Sequence, residues 1–101
     1  MIKHIVMFEL KSEYAGKSKE ENLPLVLETL RGLANIEGVK SLEVHLNNKS
    51  DPYSKEADLV LEATFESQEA LDIYRSSPAY MESISVVKPL RLNRWAVDYS
   101  L

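Results

Sequence analysis

The chain has 101 residues, 45% hydrophobic and 28% charged, with no cysteine and a net charge of −4 at pH 7. That length suits one compact domain, residues 1–101, and the apolar fraction suits a packed core rather than a disordered chain. An acidic balance with scattered Lys and Arg offers no basic field for nucleic acid, and the absence of cysteine excludes disulfides, thiolate nucleophiles and zinc–thiolate sites.

The opening stretch IKHIVMFELK places Ile2, His4, Val6, Phe8 and Leu10 at period two, with Ile5 and Met7 pointing the other way, as in a strand with two partly apolar faces. Lys3, Glu9 and Lys11 interrupt any signal-peptide core or membrane span, so the expected location is the cytoplasm, with no membrane partner. SEYAGKSKEEN reads as a polar connection, in which Ser18 and Glu21 have the spacing of a capping box. Leu23, Val26, Leu27, Leu30 and Leu33 then recur at helical spacing. Pro24 leaves two versions of that helix open: one begun at Ser18 and kinked in its first turn, or one begun at Asn22 with proline in its first turn.

Gly38 ends the connection, and VKSLEVHLNN alternates again, with Leu42, Val44 and Leu46 opposite Ser41, Glu43 and His45. NKSDPYSKEA is rich in turn formers and reads as a mobile loop. ADLVLEATFE alternates most cleanly, with Leu59, Leu61, Ala63 and Phe65 on one face. Ser67 suits the N-cap of a short helix, SQEALDIYRSS, which Pro78 interrupts before a second helical segment running to about Val87. LRLNRWAVDYSL closes the chain as a strand in which Trp95, Val97 and Tyr99 share a face.

The order strand, helix, strand, strand, helix, strand predicts an α+β fold of the ferredoxin-like, split βαβ kind. Its four-stranded antiparallel sheet would carry the helices on one face. The other face would expose Ile5, Met7, Val60 and Thr64 among Glu43, His45 and Glu62, an apolar band that a second copy of the chain would cover about a two-fold axis. A homodimer is therefore expected.

Five pieces of the chain, IKHIVMFELK, LEVHLNN, ADLVLEATFES with EALDIY, SPAY and RWAVDY, resemble in the same order the stress-responsive dimeric α/β-barrel (Dabb) domains, over nearly the whole length. The resemblance implies the ferredoxin-like fold and a barrel-forming dimer, in a family whose members mostly have no assigned activity. It also brings in a plant polyketide cyclase, which closes a linear polyketide by aldol condensation without metal or cofactor. A tyrosine and a histidine carry that chemistry, in a pocket between sheet and helices. On this resemblance the tyrosine falls at Tyr74 and the first-strand histidine is kept as His4. Ser77 and Tyr80 stand where HPAH would supply histidines, and a third-strand histidine falls at Leu59.

From the residues themselves, His4 is either a hydrogen-bonded core histidine or a base partnered by the hydroxyl of Tyr74 or Tyr80; the candidate catalytic pair is His4 and Tyr74, since a buried histidine is readily tuned toward neutral pH and a tyrosine hydroxyl can polarise a carbonyl. Tyr80 alone is a poor base, because an unperturbed phenol titrates near 10. Val6, Phe8, Leu27, Leu30, Leu59, Leu61, Tyr74 and Tyr80 are the expected lining of a small apolar pocket. Glu43, His45 and Glu62 share a face but lack a metal-ligand spacing, so no metal and no cofactor is expected. Arg91 and Arg94 are expected to pair with Asp98 and Glu62, the commoner use of surface arginine, over receiving an anionic ligand. Three functional readings follow: a homodimer binding a small apolar or aromatic molecule, a cofactor-free enzyme of polyketide-cyclase type acting on a phenolic or polyketide-like molecule, and a structural protein whose interior is filled by side chains.

Overall fold

A computed structural model describes Met1–Leu101 in full. The first strand, β1 (Ile2–Leu10), buries His4, Val6, Phe8 and Leu10 and turns Met7 outward, as its alternation predicts. The polar connection that follows is not shapeless. It forms a small hairpin, β2 (Glu13–Tyr14) and β3 (Lys17–Ser18), whose two-residue turn holds Ala15 and Gly16 at φ of 54° and 77°. Positive φ at both central residues is the twist-matched geometry for such a turn.

Helix α1 (Lys19–Arg31) starts on Ser18, whose hydroxyl accepts from the Glu21 N–H while the Glu21 carboxylate accepts from the Ser18 N–H. Of the two versions left open, the helix from Ser18 is the one formed, with Pro24 inside it. The missing N–H of Pro24 frees the Glu20 carbonyl, and both residues are exposed, so water can take that bond. Val26 and Leu30 are fully buried, and Leu33 follows them in a 3-10 turn over Gly32–Asn35. Gly38, at a φ of 94°, makes the turn into β4 (Val39–Leu46).

Between β4 and β5 (Leu59–Phe65) the Asn47 side-chain amide donates to the Ser54 and Ala57 carbonyls, each at 2.8 Å, and its carbonyl accepts from the Lys49 N–H at 3.0 Å. The segment expected as a mobile loop is thus closed on itself. Asp58 anchors it, since its buried carboxylate accepts from the Leu10 N–H at 2.8 Å and from Lys49 at 2.7 Å and pairs with Lys19 at 3.1 Å. Burial acts to raise that carboxyl, and the hydrogen bonds of Lys49, Leu10 and Lys19 outweigh it, holding it below the ordinary carboxylate range.

Helices α2 (Gln68–Ser76) and α3 (Pro78–Val87) meet at Ser77, which closes the first and caps the second. A 3-10 turn over Lys88–Leu90 leads into β6 (Arg91–Ser100). The main sheet runs β4-β5-β1-β6, with every neighbouring pair antiparallel, and the helices cover one face. This is a ferredoxin-like α+β fold. Fifteen residues form its core, among them Val6, Phe8, Leu30, Leu59, Leu61, Phe65, Leu71 and Tyr74. No helix is long and apolar enough to cross a membrane.

Candidate functional site

Register decides which residues of β6 meet those of β1. His4 lies opposite Asp98, Val6 opposite Ala96 and Phe8 opposite Arg94, so these three positions of β6 share the helix-facing side with the core. Lys3, Ile5 and Met7 lie opposite Tyr99, Val97 and Trp95 on the outward side.

His4 is buried, and its Nδ1 hydrogen-bonds the Asp98 carboxylate, whose other oxygen accepts from Arg75 of α2 at 2.5 Å. A carboxylate only accepts, so the proton of this bond sits on Nδ1. Burial lowers the His4 pKa below its ordinary 6.5, with Asp98 opposing the shift and Arg75 and Arg94 adding to it. The imidazole is neutral at pH 7, and its Nε2 carries a lone pair. For Asp98 itself burial acts upward, but the bonds from His4 and Arg75 prevail and its carboxyl is lowered. The expected partner of His4, a tyrosine hydroxyl, is not the observed one. The carboxylate reaches it because β6 lies beside β1 in the sheet and presents Asp98 inward.

Four rings, that of His4 included, pack together. Tyr74 lies 4.9 Å from Phe65 and 5.0 Å from Tyr80, ring centre to ring centre, and 6.5 Å from His4 edge to face. Tyr74 is buried on α2, while Tyr80 on α3 is half-buried. Ser77 fixes both from the backbone, donating to the Tyr74 carbonyl at 2.8 Å and accepting from the Tyr80 N–H at 3.2 Å. Burial first, and then the neighbouring Tyr80, push the Tyr74 phenol far above 10, against Arg94 and Arg75, so it stays protonated and acts as a donor.

Between these rings and the sheet runs a cleft lined by His4, Val6, Phe8, Leu30, Leu33, Leu61, Tyr74, Tyr80, Ile84 and Arg94. Its free volume is about 10 Å³, the room of roughly one water. Of the expected lining residues, Leu59 belongs to the core beside it and Leu27 packs against that core; Leu33, Ile84 and Arg94 are additions. Neither His4 Nε2 nor the Tyr74 hydroxyl bonds to protein, yet no side-chain nitrogen or oxygen is both fully buried and unpartnered. Each atom therefore keeps some contact with solvent, and both residues line the cleft, one offering an acceptor and the other a donor.

Asp98 and Arg75 escaped the sequence reading as members of this site. The parity of Asp98, opposite to that of Trp95, Val97 and Tyr99, is a signal for the first; nothing local marks Arg75. The expected pairings of Arg91 and Arg94 are replaced, because Arg75 takes Asp98 and Lys3 takes Glu62 at 3.2 Å. Glu43 and His45 contact one another at 3.4 Å on the exposed face.

The sequence model of the stress responsive A/B barrel domain, Dabb, matches residues 2–101. The chain belongs to the Dabb family. A Dabb family protein with a ferredoxin-like fold from Mesorhizobium loti is 25% identical, with a TM-score of 0.76 over 99% of this chain and 95% of that one. A dimeric ferredoxin-like protein of unknown function from Thermobifida fusca is 19% identical, with a TM-score of 0.83 over 99% and 90%. Another, from Bacteroides fragilis, is 24% identical, with a TM-score of 0.80 over 99% and 95%. No curated protein matches this Dabb chain.

Proposed function

We propose that this Dabb chain is a homodimer that binds a small apolar or aromatic molecule between its sheet and its helices. The observation that carries the reading is the pair of polar atoms, His4 Nε2 and the Tyr74 hydroxyl, left without protein partners in a largely apolar wall. Val6, Phe8, Leu30, Leu61, Tyr74 and Tyr80 would surround the ligand, with Leu27 and Leu59 behind them. A cleft of about 10 Å³ is too small as it stands, so Tyr80, half-buried at its mouth, has to swing outward as the ligand enters. The dimer is supported by the outward sheet face, where Met7, Trp95, Val97 and Tyr99 are 38%, 41%, 54% and 45% exposed, and by relatives described as dimeric.

Titration with benzyl alcohol, a neutral aromatic, should shift the backbone amide signals of Tyr80 and Ile84, and Tyr80→Ala should bind it more tightly by opening the cleft. Silence in both proteins would leave the interior a filled core and refute ligand binding.

One observation favours a second reading, a cofactor-free enzyme of polyketide-cyclase type. The Asp98 carboxylate holds the neutral His4 in the tautomer whose Nε2 can take a proton, beside a phenol able to donate to a carbonyl oxygen. Turnover of a linear poly-β-keto thioester that is lost in His4→Gln would establish it, and no turnover by the wild type would dismiss it.

A further inference from the structure

Strand β6 is the edge of the sheet, and the helices do not reach over its inward side. Arg94, Ala96 and Asp98 are exposed there although they lie in register with buried Phe8, Val6 and His4. A groove of about 450 Å³ results, floored by these residues and Arg91 and walled by Arg75 of α2 and Tyr80 and Ile84 of α3. That volume is in the range of small-molecule sites.

The charge in this groove runs against that of the chain. A protein of net charge −4 gathers here three of its four arginines and a single carboxylate. Asp98 is already engaged through both oxygens, one with His4 and one with Arg75. Arg91 and Arg94 take part in none of the chain's ion pairs. Two guanidinium groups beside a concave surface present planar donor pairs suited to an oxyanion. Tyr80, Ile84 and Arg94 line the groove and the cleft alike, so the two adjoin.

We infer that the molecule bound by this chain carries an acidic head, a carboxylate or phosphate ester, which Arg91 and Arg94 hold in the β6 groove while its apolar or aromatic part enters the cleft past Tyr80 and Ile84. The inference rests on the ligand-binding reading above and narrows it to small organic anions. Arg75, neutralised by Asp98, forms the wall and keeps His4 oriented.

Three probes of one shape test it on the full chain by amide shift titration at constant ionic strength: benzoate, phenyl phosphate and benzyl alcohol. At least one anion should bind about tenfold more tightly than the alcohol, with shifts centred on residues 91–98. Arg91→Gln with Arg94→Gln should abolish that preference, bringing the anions down to the affinity of the alcohol measured in the same variant. Benzoate alone showing the preference assigns a carboxylate, and phenyl phosphate alone a phosphate ester. Equal affinity for all three would overturn the acidic head and leave ligand binding standing. An anion preference that survives the double substitution would overturn the site, and no binding of any probe would overturn both readings.

Discussion

Burial strips water from the His4 imidazole, and the protonated ring suffers most from that loss. Its folded pKa lies below 6.5, so the folded chain takes up its proton at lower pH than the unfolded chain does. His4 therefore contributes stability that is present above pH 6.5 and is lost as pH falls through that value toward the depressed one. Asp98 and Asp58 are lowered from 3.8 and add a loss only below that pH. Urea unfolding at about pH 7.5 and about pH 5 should thus show a less stable protein at the lower pH, with a smaller difference in His4→Gln. An equal difference in both proteins would contradict the assignment. Sequence parity placed His4 on the helix side correctly, but a contact between positions 4 and 98 depends on strand register, which no local pattern encodes.

At the scale of elements, local chemistry and tertiary position agree more closely. Ser67 and Ser18 cap the helices where the pattern puts caps, and Pro78 divides α2 from α3. The capping box on Ser18 holds a helix that also carries an internal proline, so its first turn depends on that cap. Ser18→Ala should lower unfolding stability by about 1 kcal/mol, read by chemical denaturation. No change would show that packing of Val26 and Leu30 alone fixes the start. Two elements were not legible. The β2–β3 hairpin is too short for alternation to register, and the Asn47 and Asp58 anchors of the loop before β5 join residues that only the folded chain brings together. The lone Ser77 in place of a family histidine shows the same limit, since its role as a double cap is visible only when both helices are drawn.

For the whole molecule, the two faces of the sheet pose different problems. One is closed by helices over a core of fifteen residues. The other presents Ile5, Met7, Trp95, Val97 and Tyr99 on adjacent strands, with Val60 beside Met7, and charged Lys3 and Glu62 toward one end. Alternation in β1 and β5 foretold part of this band; Trp95, Val97 and Tyr99 join it because β6 lies next to β1. Covering it removes apolar area from water in proportion to its extent, and a two-fold copy presents the complementary surface at no cost in new sequence. Aspartate at Met7 and Val60 would bury charge without a partner on both sides of that contact.

Sedimentation equilibrium at micromolar concentration reads the consequence. The wild type should have twice the mass of the 11.5 kDa chain, and Met7→Asp with Val60→Asp the mass of one chain. A wild type of single-chain mass, or a double variant that stays paired, would contradict the account.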